Sequence, residues 1–260
     1  MPPPTIWRDI ASDLRRRVDS GEWSAGDRLP SVRELMEQYG TPTQAALVRA
    51  IGALANEGVL LTDPNAPRRG VRVRARTKLA RPIDQNFAAF ASTGDRTLEQ
   101  IHNGDLDGDA KFDVETDYSR EPASNVTDTL SKELGDETVL VRRFRYLLKG
   151  TPHQVMWSRM SDRIAQRAGL NSIEDEKPGK STETWLQEAG VEPHHISMTI
   201  ESRLPTPDEA AFLAMPTALP VMVRKRTVID KNGVPVEAST SLVVADQIIY
   251  TAEFDLESPC

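Results

Sequence analysis

The sequence predicts an α+β chain with a helical head at the N terminus and an antiparallel-sheet body behind it. Residues 28–58 read as two short capped helices, and from about residue 111 strands alternate with short helices. Charge divides in the same place. Residues 1–78 hold thirteen lysines and arginines against nine acids, whereas the remainder holds nineteen against thirty, inside a chain whose net charge is −7. A basic head on an acidic body is expected when one part faces phosphates and the other does not.

Within the head, Ile6, Ile10, Leu14 and Val18 recur at helical spacing and predict a first helix over residues 5–20, ended by Gly21. The run Arg15, Arg16, Arg17 beside them is either a solvated face or a source of phosphate contacts. Trp23 reads as a core aromatic in the connection that follows. Ser31 with Glu34 forms a capping box, and Val32, Leu35 and Met36 give a second helix an apolar stripe up to Tyr39 and Gly40. A third helix opens at once, with Thr41 as cap, Pro42 at the first helical position and Gln44 soon after. Leu47, Ala50, Ile51 and Leu54 supply its buried face, which leaves Thr43, Gln44, Ala45 and Arg49 pointing outward.

Two short helices joined by a tight turn, the second presenting small polar residues, fit a DNA major groove; an ordinary helical hairpin carries the same caps and stripe. After Gly58 the pattern turns extended. Val71 and Val73 alternate with Arg72 and Arg74, which predicts a strand with one buried and one basic face in a loose hairpin. Such a hairpin is a wing, and Arg68, Arg69 and Gly70 at its turn suit a narrow minor groove, where guanidinium groups meet the strongest negative potential.

Residues 5–75 resemble the winged helix-turn-helix of the GntR family of bacterial transcription regulators. The resemblance rests on the L-P-S-V-R-E-L-M-E-Q-Y-G block, the helix that follows it, the Glu57-Gly58 pair and the glycine-containing wing. It implies DNA contacts at Arg33, Thr43, Gln44, Arg49 and Gly70. This chain departs from the family where Ser-Arg commonly opens the recognition helix, and its wing has Gly70-Val71-Arg72 instead of Gly-Thr-Phe. Gln44 suits bidentate reading of an adenine where arginine reads a guanine.

Residues 77–84 read as a linker and residues 85–110 as largely aperiodic, with Asp105, Asp107 and Asp109 in a run that lacks the closing glutamate of a calcium loop. The body's expected elements are helices near 125–134, 162–169, 181–190 and from 206, and strands near 138–148, 153–160, 194–204, 221–229 and 234–245. The segment V-L-V-R-R-F-R-Y-L-L-K-G-T-P-H-Q-V overlays V-M-V-R-K-R-T-V-I-D-K-N-G-V-P-V-E, each a basic strand, a Gly-x-Pro connection and a return strand. A pseudo-symmetric antiparallel sheet with helices on one side is the economical architecture.

This body resembles the UTRA effector-binding domain of the HutC subfamily, a fold shared with chorismate lyase. The residues that carry the likeness are Arg143-Phe144-Arg145, the block E-S-R-L-P-T-P-D-E-A-A-F-L and the N-G-V-P-V-E turn. The resemblance implies a head over residues 1–76, a body over 85–260 and an effector pocket lined by Arg143, Arg145 and Glu237, with Ser239 and Ser241 alternating onto the face of Glu237. A solvated basic face or an interdomain ion pair is the competing reading for the two arginines. Met156 stands where subfamily members often carry an acid.

Cys260 is the single cysteine, which excludes an internal disulfide framework and a cysteine-based zinc site. The four histidines show no metal or triad spacing, so neither a cofactor nor a catalytic centre is expected. No apolar run approaches a membrane span, and the N terminus lacks a signal-peptide core, so a cytoplasmic protein without a membrane partner is expected. The expected partners are a double-stranded DNA operator, a second copy of the chain in a homodimer, and a small-molecule effector, for which an anion is one class the arginines allow. A dimerisation-only body is the alternative, and a lyase-like enzyme the rival class.

Overall fold

The computed structural model describes residues 6–41, 44–62, 70–74, 79–83, 112–125, 137–148, 150–177 and 180–252. Helix α1 (Ile6–Asp19) is followed by α2 (Val32–Tyr39), α3 (Gln44–Asn56) and the short antiparallel strands β1 (Leu60–Leu61) and β2 (Arg72–Val73). Ser31 caps α2 as expected: its Oγ accepts from the Glu34 amide at 3.3 Å while the Glu34 carboxylate accepts from the Ser31 amide at 2.7 Å. Gly40 ends the helix with φ +58°, the left-handed geometry that favours glycine. Ile10 and Leu14 of α1, Leu35 of α2, Leu47, Ile51 and Leu54 of α3, Leu60 and Val73 form one core, with Trp23 packed on its edge. Burying these side chains together is what holds three helices too short to persist alone.

Strand β3 (Leu79–Pro82) leads into the body, where β4 (Phe112–Pro122), β5 (Thr138–Leu148), β6 (Thr151–Ser161), β7 (Pro193–Arg203), β8 (Val221–Asp230) and β9 (Pro235–Val244) form one sheet. Its order is β4-β5-β6-β9-β8-β7, antiparallel throughout, so the two overlaid hairpins lie side by side with β6 and β9 as the central pair. Strand β10 (Ile248–Thr251) pairs in parallel with β3, so four residues of the expected linker belong to a ladder with the end of the body.

Helices α4 (Asp162–Arg167), α5 (Thr182–Glu188) and α6 (Pro207–Phe212) do not share one side, which corrects the expectation. Leu140, Met160 and Val228 pack with α4 and α5 on one face, whereas Val155, Val223 and Leu242 pack with α6 on the other. The physical reason lies in the strands: apolar residues at both parities of β5, β6, β8 and β9 leave two faces to cover. Beyond Asn125, the expected helix near 125–134 falls outside the described residues, as does the aspartate run.

Candidate functional site

At the head, the α2–α3 elbow forms a shallow groove lined by Val32, Arg33, Met36, Glu37, Gly40, Thr41 and Gln44. The Arg33 side chain is 90% exposed and pairs with Glu37 at 3.4 Å. Gln44, Ala45 and Arg49 are exposed on α3, and Val48 beside them is 51% exposed. Arg49 lies over the Trp7 ring at 4.5 Å, which positions its guanidinium without neutralising it. Thr43, Arg68 and Arg69 fall outside the described residues. Gly70 has φ +70°, and the Arg28 guanidinium fills the space that a side chain at Gly70 would take, which brings an exposed arginine unremarked in the sequence to the base of the wing. The run Arg15, Arg16, Arg17 is engaged within the protein, by Glu57, Asp13 and Glu22 respectively, in keeping with a solvated helix face.

Arg74 corrects the expected basic face of the wing strand. It is 3% exposed; its Nη1 and Nη2 donate to the two Asp246 oxygens at 2.9 and 2.8 Å, and Nη1 also reaches the Gly58 carbonyl at 3.3 Å. Asp246 lies in the single turn between β9 and β10, so this pair ties the end of the head to the body. Leu219 also sits on Gly58, whose φ is +69°. Alternation along a two-residue strand could not reveal this, because the chain leaves the strand at Arg74 and the partner is 172 residues away.

In the body, the residues expected to line the effector pocket divide between the two faces. Arg143 and Arg145 share the α6 face. Arg143 pairs with Asp117 at 3.0 Å and lies over the Phe212 ring at 5.1 Å, while Arg145 pairs with Glu115 at 3.0 Å and donates from Nε to the Phe212 carbonyl at 2.8 Å. Both acids belong to the edge strand β4, directly across the ladder. Glu237, Ser239 and Ser241 do alternate onto one face, the opposite one, covered at one end by α4 and α5.

There Glu237 is completely buried, accepting from Ser158 Oγ at 2.8 Å and from Arg226 at 3.2 Å. Arg226 also bonds Glu183 at 2.6 Å, and Arg142, 1% exposed, donates to Ser158 at 3.0 Å, Thr182 at 2.9 Å and Glu176 at 3.4 Å. Burial alone would push Arg226 down; Glu237 and Glu183 outweigh it and hold the guanidinium well above its usual value. Tyr118 donates to Glu176, and burial together with that carboxylate raises its phenol. Sequence reasoning missed Arg142, Arg224 and Arg226 because their face depends on strand register. The signal available was the overlay of the two hairpins, which aligns Arg142 with Arg224.

Among the described residues no group of three potential metal ligands occurs, and no helix is long and apolar enough to cross a membrane. Two family descriptions match the chain: "Bacterial regulatory proteins, gntR family" over residues 7–73 and "UTRA domain" over residues 115–249, the second spanning more than half of it. An uncharacterized HTH-type transcriptional regulator of Streptomyces coelicolor is 24% identical over 97% of this chain and 94% of its own length. The HTH-type transcriptional regulator TreR of Bacillus subtilis is 26% identical over 57% of this chain, and the match spans 60% of TreR. Among solved structures, PhnF of Mycobacterium smegmatis superposes with a TM-score of 0.51 at 20% identity, covering 95% of this chain and all of that one. A further GntR-family regulator gives 0.53 at 21% identity over 98% of this chain and 99% of its own. These relatives are regulators, not enzymes, and the match joins a DNA-binding head to an effector domain. The chain belongs to the GntR family of bacterial transcription regulators, in the branch whose winged helix-turn-helix is joined to a UTRA domain.

Proposed function

We propose that this regulator is a cytoplasmic homodimeric repressor of the HutC subfamily that grips a palindromic operator with two heads and releases it when a small molecule binds the body. In this reading Arg33, Gln44, Ala45 and Arg49, with Thr43, meet the major groove, and Arg68, Arg69 and Gly70 follow the minor groove. Residues 1–76 and 85–260 act as head and body.

The observation that carries the coupling is the Arg74–Asp246 pair. Asp246 lies two residues beyond the end of β9, the strand of Glu237, Ser239 and Ser241, and Arg74 follows directly on the wing strand. A ligand that shifts β9 therefore acts on the orientation of the head, provided it binds one arrangement better than the other. The test measures binding of the full chain to DNA from upstream of its own gene and of neighbouring genes, against random duplex, with sedimentation of the free protein. A preference of about a thousandfold for one site and a dimeric mass are expected. Equal affinity for all duplexes rejects the reading.

A further inference from the structure

Helix α3 buries Leu47, Ala50, Ile51 and Leu54 in the core of the head and leaves Gln44, Ala45, Val48, Arg49 and Gly52 exposed on its outer side. Packing explains the first set and does not explain Val48. Its side chain is 51% exposed, and among the described residues of the head only Ile6, where α1 begins, is a more exposed large apolar side chain. A valine held outside the core gains no burial, and its branched Cβ makes it a poorer helix former than alanine. One turn further on, Gly52 adds no side chain. Apart from its chain neighbours, no described side chain lies within 4 Å of the place a Cβ would take there, so Val48 stays open on that flank.

Val48 lies four residues beyond Gln44 and three beyond Ala45, and helical side chains lean toward the N terminus, so all three cover one patch with Arg49 beside them. The chemistry of that patch is narrow. Base edges in the major groove are donors and acceptors, with one apolar group among them, the C5 methyl of thymine. A valine set against any other edge takes water from a polar atom and returns no hydrogen bond. Against the methyl both groups leave water, and the single rotamer that a β-branched side chain prefers in a helix means that little freedom is lost on contact.

We infer that Val48 is a specificity-determining residue, reading the C5 methyl group of a thymine in the operator by apolar contact. The inference rests on the placement of α3 in the major groove and names what the helix reads there. Gln44 and Val48 divide the reading. The amide suits an adenine edge, and the valine one turn on discriminates against cytosine, which presents an N4 amino group and no methyl.

The probe is a duplex enriched by the full-length protein from a pool of random sequences, then resynthesised with one thymine at a time replaced by deoxyuridine. That exchange keeps the base pair and the O4 acceptor and removes the methyl alone. Affinity is measured at fixed salt. At one thymine position the parent should lose about fourfold, the worth of one methyl-sized group taken out of contact. Val48→Ala should bind the original duplex about as weakly as the parent binds the uracil duplex, and should lose nothing further when that thymine is replaced. Because the position is exposed and alanine favours the helix, Val48→Ala should melt no lower than the parent.

An enriched duplex in which no thymine methyl matters overturns the inference. So does an equal loss in parent and Val48→Ala, which would assign the effect to duplex shape, and so does a lower melting temperature for Val48→Ala, which would give the valine a role within the fold. In each of these outcomes operator recognition itself stands. A pool that yields no enriched duplex rejects sequence-specific binding, and the assignment of Val48 falls with it.

Discussion

Arg226 shows how a buried charge becomes structural. It sits between Glu183 and Glu237, both almost wholly buried, and it is the cation that lets two carboxylates share that space. Arg226→Met would leave the two acids facing one another unneutralised, with an expected loss of about 3–5 kcal/mol in urea unfolding. Adding Glu183→Gln and Glu237→Gln to Arg226→Met should recover part of it, because the penalty lies in the orphaned charges. A different titration is expected at Glu209, which accepts from Arg203 at 2.7 Å through both oxygens and from the Thr206 amide at 2.8 Å. The Arg203 bonds chiefly hold its carboxyl below the usual range. Its contribution is therefore complete above about pH 4.3, the unfolded value, and is lost as pH falls through the lowered folded value. Melting temperature followed from pH 6 to pH 3 should fall less steeply in Arg203→Met than in the parent.

At the scale of elements, the ends of α2 were legible because capping is local: Ser31 and Glu34 are three residues apart, and the bonds they form are those the spacing requires. Ser31→Ala should lower the stability of the head by about 1 kcal/mol, read by denaturant unfolding followed by the fluorescence of Trp7 and Trp23 with Trp157 and Trp185 of the body replaced by phenylalanine. The buried face of α3 was legible for the same reason, since Leu47, Ala50, Ile51 and Leu54 follow helical spacing and all lie in the core. Strands β5, β8 and β9 were found within a residue or so of their bounds, yet which strand residues meet was not. Arg142 and Arg143 are adjacent letters, and only the register that sets Arg142 against Ser158 and Arg143 against Trp157 assigns one to the buried network and the other to the α6 face. Strands β3 and β10 escaped notice because four residues carry too little periodicity, and their pairing joins segments far apart in sequence.

For the whole molecule, the head and the body meet through Arg74 and Asp246, with Leu219 on Gly58 and β3 on β10 beside them. Asp246→Ala leaves a buried guanidinium with little besides the Gly58 carbonyl. The expected result is a lower melting temperature and a broader distance distribution in small-angle scattering; an unchanged profile would mean that the pair does not hold the two parts together. None of this long-range pairing could be read from local pattern, whereas the division into a basic head and an acidic body could, because charge needs no register. The central claim is that exposed arginines of α2 and α3 meet DNA, and the direct measurement is operator affinity against salt for Arg33→Ala/Arg49→Ala in a folded sample. The account predicts binding weaker by at least about tenfold, with the slope of log affinity against log salt shallower by about 0.9 for each phosphate that the protein no longer neutralises. An affinity and a salt slope equal to those of the parent would contradict it.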